Sequence, residues 1–145
     1  MNSPSTETLF VVVEREMPYP PEKIWRALTQ PHLIAEWLMN NDFKPVVDHR
    51  FNLRATPQPN WSGVIDCQVL VVEPNTTLSY TWGASVGAME LASVVTWSLT
   101  PTPKGTLLRM EQAGFRPDQP QNYNGAKYGW QKFFGNLEKV LARAD

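Results

Sequence analysis

The chain has 145 residues, 42% of them hydrophobic and 19% charged, with a formal net charge of -1. That balance excludes disorder as the default state. With no local run of Lys and Arg it also excludes the electrostatic footprint that a phosphate backbone demands, so nucleic acid is not an expected partner. The length suits one domain over residues 1–145, long enough to bury roughly 68–70% of the surface its unfolded form exposes, which leaves room for a cavity as well as a core.

Met1 to Thr8 is polar and lacks the basic flank and apolar stretch of a secretion signal, so no export is expected. The longest apolar stretches, such as Val69 to Val72, fall far short of the ~20 residues that span a bilayer. Cys67 is the only cysteine, which rules out an internal disulfide and fits a reducing, cytoplasmic location. Nothing in the sequence decides between monomer and homodimer.

In chain order, Leu9 to Met17 alternates and is rich in β-branched residues, which predicts a first strand running into the turn Pro18-Tyr19-Pro20-Pro21. Ile24, Trp25, Ala27 and Leu28 recur at helical spacing behind a proline suited to a first helical position, predicting a short helix over Glu22 to Gln30. Pro31 restarts the pattern, and Leu33, Ile34, Trp37 and Leu38 predict a second short helix ending near Asn40-Asn41.

From Phe43 to Leu108 the period becomes two. The expected strands are Asp42 to Val47, Phe51 to Thr56, Gly63 to Glu73, Thr77 to Trp82, Met89 to Leu99 and Thr106 to Ala113, joined by short connections that imply antiparallel neighbours. Gly83 to Gly87 and Pro101 to Gly105 read as turns. On the strands, Ile65, Cys67, Val69 and Val71 share one face, as do Leu91, Val95, Trp97 and Leu99. A final helix over about Asn122 to Ala144 supplies the matching surface through Tyr123, Ala126, Trp130, Phe133 or Phe134, Leu137, Val140 and Leu141.

Three glycines in that helix, Gly125, Gly129 and Gly135, each cost about 1 kcal/mol relative to alanine. Either the helix backbone comes close to a strand there, or space is left open beside a ligand.

Four motifs in order resemble the START-like, or SRPBCC, superfamily, and within it the branch of activator of Hsp90 ATPase homologues. They are Pro20-Pro21-Glu22-Lys23-Ile24-Trp25-Arg26-Ala27-Leu28-Thr29 with Pro31, Leu33 and Trp37; Glu73-Pro74 with Leu78-Ser79-Tyr80-Thr81-Trp82; Val95 to Pro101 with Gly105-Thr106; and Gly129-Trp130 with Leu137 and Leu141. The resemblance implies an α+β helix-grip (START/Bet v-like) fold: a curved antiparallel sheet of six to seven strands around a long C-terminal helix, with two short helices after the first strand. One departure stands out. The hairpin that usually carries paired glycines reads Val47-Asp48-His49-Arg50-Phe51 here, and since Asp and His tolerate positive φ the turn is expected to survive.

The sequence offers little reactive chemistry. His32 at a helix start and His49 in a turn have no second histidine at ligand spacing, Cys67 has no adjoining base, and no nucleophile elbow, phosphate loop or dinucleotide fingerprint appears. No metal, cofactor or catalytic pair is assigned. Members of the resembling superfamily known as cyclases and dehydratases use scattered polar groups in an apolar cavity, for which the candidates here would be Glu36, Asn40, Arg54, Asp66, Glu90, Arg109 and Tyr123. The leading expectation is non-enzymatic binding of a hydrophobic small molecule or lipid between sheet and helix. Its walls would be Trp37, Val69, Trp97, Tyr123, Trp130 and Phe134, with Arg54 or Tyr123 fixing a polar end. The alternatives are a chaperone partner that regulates an ATPase in stress response, as the family name implies, and a small cyclase, dehydratase or hydrolase using the same cavity.

Overall fold

A computed structural model describes residues 9–59, 61–86 and 89–143. Strand β1 (Leu9–Met17) is followed by helices α1 (Pro21–Thr29) and α2 (Pro31–Trp37). Strands β2 (Asn40–Asn41), β3 (Arg50–Arg54), β4 (Val64–Glu73), β5 (Thr77–Val86), β6 (Met89–Thr102) and β7 (Gly105–Phe115) come next, and helix α3 (Pro120–Arg143) closes the order. The seven strands form one antiparallel sheet in the order β1-β7-β6-β5-β4-β3-β2. Each strand from β2 to β7 lies beside its sequence neighbour, and β1 crosses over to pair with β7. With α3 across the concave face, this is the helix-grip arrangement expected.

Local sequence explains the helix pair. Pro21 occupies the first helical position, where its missing N–H costs nothing, and Glu22 lies in the first turn. Gln30 is extended, at φ -93 and ψ 121, because the residue before a proline is disfavoured from helical angles; Pro31 therefore ends α1 and opens α2 in one step. The indole N–H of Trp37 donates to the carbonyl of Ala27 at 2.8 Å and fastens α2 onto α1.

Three expectations are corrected. The strand expected over Asp42 to Val47 is reduced to the two residues of β2, because side chains take over the backbone partners there. The Asn41 side chain accepts from the Phe43 N–H at 3.1 Å, the Asp42 carboxylate accepts from the Asn52 N–H at 2.7 Å, and Pro45 has no N–H to give. The turn expected over Gly83 to Gly87 does not start at Gly83: Gly83 pairs with Asp66 on one side and Ala92 on the other, so β5 runs on to Val86, and Gly87 lies outside the described residues. Val71 is exposed, not inward, because a bulge between Val69 and Val71 shifts the register and turns Val72 toward the core in its place. The departing hairpin does survive, with Asp48 at φ 72 and hydrogen bonds from Asp48 N–H to Val69 O and from Val69 N–H to His49 O.

The core is aromatic. The Trp97 ring stands 5.6 Å from Trp37 and 5.6 Å from Trp130, both edge to face, and stacks on Phe134 at 5.6 Å. Its indole N–H donates to the Tyr80 hydroxyl at 3.0 Å, so this central tryptophan is both packed and satisfied. Replacing it by Trp97→Ala is expected to cost ~3–5 kcal/mol, read as a lower urea midpoint with an unchanged slope.

Two core groups set the alkaline limit. Burial, then the charges of Asp66 and Asp42, pushes the Cys67 thiol far above its ordinary value; burial likewise raises the Tyr80 phenol, against the opposing effect of its hydrogen bond from Trp97. In the unfolded chain these groups ionise near 9.0 and 10.0, whereas in the fold they stay protonated. Above about pH 9 the unfolded state therefore holds fewer protons, and stability present at neutral pH falls by up to ~1.4 kcal/mol per pH unit for each group. Urea unfolding followed from neutral to alkaline pH is expected to show this decline, with Cys67→Ala removing its first part.

Candidate functional site

Whether the concave side is filled depends on position along α3. The helix backbone comes nearest to α2, β1 and α1. Toward its C-terminal half Phe134, Leu137 and Leu141 are fully buried, and that end of the molecule is solid. Toward its N-terminal half the helix presents Asn122, Gly125, Ala126, Gly129 and Phe133 to a groove of about 370 Å³. The facing wall comes from Ile65 of β4, Trp82 and Ala84 of β5 and Leu91 of β6, with Trp61 at the rim.

The glycines decide between the two readings of this helix. A Cβ built on Gly125 would meet nothing within 4 Å, and one on Gly129 would meet only the Phe133 ring, at 3.8 Å. Close approach of backbone to a strand is therefore not what these glycines serve. By contrast, a Cβ on Gly105, at φ 152 in the hairpin before β7, would run into the Met17 carbonyl oxygen, so that glycine is required by the fold. Gly125 and Gly129 hold open space.

The groove floor is polar and fully connected. Trp130 Nε1 donates to Gln112 Oε1 at 2.7 Å, Gln112 Nε2 donates to Ser93 Oγ at 2.9 Å, and Ser93 Oγ donates to the Trp82 carbonyl at 2.8 Å. An indole N–H can only donate, which fixes the amide oxygen of Gln112 toward Trp130 and its nitrogen toward Ser93. Gln112 is 1% exposed and Ser93 5%. The relay links α3 to β7, β6 and β5, and among the described residues no charged one lines the groove.

Of the residues expected to wall a cavity, the structure brings Trp37, Trp97, Trp130 and Phe134 together in the aromatic stack, with Val69 fully buried on β4. Trp130 alone among them also lines the groove. Arg54 lies outside on β3, half exposed and 3.9 Å from Asp42. Tyr123 packs its ring on Phe115 at 5.9 Å, under the Lys127 ammonium. The scattered polar candidates do not converge: Arg109 pairs with Glu111 and Glu14, Glu36 with Arg143, Asp66 with Asn52, and Asn40 lies exposed on β2. The Glu90 side chain falls outside the described residues. His32 is exposed, and His49 contacts the Asp42 carbonyl and stacks beside Phe51. Among the described residues no group of three or more His, Cys, Asp or Glu could hold a metal ion. No described helix is long and apolar enough to cross a membrane.

Sequence reasoning missed Gln112 and Ser93. The available signal was parity: Thr106, Leu108, Met110 and Gln112 form one row of β7, so the amide falls on the face whose earlier members are apolar or buried.

No curated protein matches the sequence. Similar solved structures include the protein MLL2253 from Mesorhizobium loti, 62% identical over 94% of this chain and 99% of that one, with a TM-score of 0.85. DynU16, a protein of the dynemicin biosynthetic locus, is 25% identical over 92% of this chain but 47% of its own length, with a TM-score of 0.75. CalU16 from Micromonospora echinospora, at 23% identity over 97% of this chain and 81% of that one and a TM-score of 0.74, shares the fold. The family model described as activator of Hsp90 ATPase homolog 1-like protein matches residues 18–142, and with the helix-grip fold and the ordered motifs in place, the chain belongs to that family.

Proposed function

We propose that this protein binds an apolar small molecule, without chemistry, in the groove between β4, β5 and β6 and the N-terminal half of α3. The observation that carries this reading is the pair of helix glycines whose missing side chains leave space open against an apolar wall. A folding chain gains about 1 kcal/mol from each alanine in their place, so their presence calls for an offsetting use of the space. The volume of about 370 Å³ lies toward the low end of the ~300–1,000 Å³ usual for small-molecule sites, and suits a compact guest better than a long acyl chain. The likeness to a protein from a biosynthetic locus is in keeping with a small organic ligand. The described polar candidates for catalysis do not converge, with Arg109 and Glu36 held in ion pairs, Asp66 bonded to Asn52 and Tyr123 packed on Phe115, which favours holding over turnover.

Stability and binding are expected to move in opposite directions at one position. Gly129→Leu fills the groove while improving helix propensity by roughly 0.8–1 kcal/mol, so the melting temperature is expected to hold or rise. The affinity for prodan, a neutral naphthyl ketone dye whose emission shifts blue on leaving water, is expected to fall by about tenfold or more, since the ring loses its apolar burial. Equal prodan binding by the native and Gly129→Leu proteins would place the ligand elsewhere and end this reading.

A further inference from the structure

Resting on that groove as the binding site, we infer that it selects an uncharged, ring-bearing molecule carrying a carbonyl oxygen, which hydrogen-bonds to the Gln112 amide at the floor. Three observations converge on this class.

The first is the hydrogen-bond arithmetic of Gln112. A glutamine amide offers two N–H donors and two acceptor lone pairs. The relay uses one N–H, toward Ser93, and one lone pair, from Trp130. One donor and one acceptor remain on a side chain that is 1% exposed and lines the groove, where an apolar guest would leave both unanswered. An acceptor on the guest would answer the open Gln112 N–H.

The second is charge. Among the described residues none that lines the groove is ionisable, and Gln112, Gln121 and Asn122 are amides. A carboxylate drawn into this space would lose its hydration with no cation to replace it, a penalty that a neutral carbonyl avoids. The competing arrangement keeps an anion at the mouth, where the N-terminal turn of α3 presents Gln121 and Asn122. That arrangement leaves Gln112 unused.

The third is shape. Trp82 and Trp130 lie 5.2 Å apart with planes tilted by 52°, and Phe133 stands edge-on to Trp130 at 5.5 Å. Ring faces and edges set at these angles suit a flat guest that can stack and meet them edge to face.

Three naphthalenes of one skeleton test the assignment on the native protein by calorimetry: acetylnaphthalene, ethylnaphthalene and naphthoate. Acetylnaphthalene is expected to bind about fivefold more tightly than ethylnaphthalene, the worth of one net hydrogen bond, and about a hundredfold more tightly than naphthoate. Gln112→Met is expected to bring the acetyl-to-ethyl ratio to near one while ethylnaphthalene still binds. That change leaves the Trp130 N–H without its acceptor; if the variant does not fold, the native comparison still decides. Equal or tighter binding of naphthoate would overturn the uncharged class in favour of capture at the helix end, and an acetyl-to-ethyl ratio of one in the native protein would overturn the role of Gln112. Either result leaves the groove standing, whereas failure of all three naphthalenes to bind would remove both the groove and this inference.

Discussion

The directed hydrogen-bond chain from Trp130 through Gln112 and Ser93 to the Trp82 carbonyl is the constraint from which the rest of this molecule follows. Each member is buried, so none can exchange its partner for water, and leaving one unpaired would cost about 1–3 kcal/mol. The helix is thereby tied to three strands at one level, midway along its length. Hydrophobic packing alone would allow α3 to slide or roll over an apolar sheet; a relay with one donor direction does not. The aromatic stack of Trp37, Trp97 and Phe134 then closes the space on one side of that level, and the groove opens on the other.

Because the relay holds the helix, the glycines need not. In a bundle held only by packing, small residues on a helix face usually mean that the backbone has moved in to close the gap. Here the backbone cannot follow, and Gly125 and Gly129 keep their open space at the expense of helix propensity. A solid interior and a binding role are compatible because they occupy different halves of the same helix. Of the residues that sequence reading placed on a cavity wall, Trp37, Trp97, Trp130 and Phe134 pack against one another, and the open face lies about one turn nearer the amino end than Phe134.

Most of the fold was legible because its signals were local and redundant. Alternation in Leu9 to Met17, the two prolines that punctuate the short helices and the three- or four-residue spacing from Trp130 to Leu141 each point to the element that forms. What was not legible depends on side chains reaching across the chain. Asn41 and Asp42 dissolve a strand by taking over backbone partners, and a bulge after Val69 inverts the facing of Val71, neither of which leaves a trace in apolar periodicity. The site is the same case. Gln112, Ser93 and Trp130 are far apart in sequence, and only the register of β6 on β7 and the seat of α3 make them neighbours. The glycines carried the signal, but from sequence alone close approach of the helix backbone to a strand was the favoured account of them and open space the lesser one.

On the proposed binding role, the arrangement of charge would leave recognition of a guest to burial and shape. The ion pairs lie on the outside, between Arg109 and its two carboxylates, Arg116 and Asp118, Arg143 and Glu36, and Arg15 and Glu138, and the net charge is nearly zero. With no field of one sign to steer a ligand inward, encounter would rest on diffusion and capture on the removal of apolar surface from water. Such a site would hold many hydrophobic compounds weakly if its walls were apolar throughout. Placing a connected amide at the floor changes that, because a buried donor left unanswered penalises every guest without an acceptor at that point. On the proposed binding role, the relay that fixes the helix would therefore also discriminate among guests.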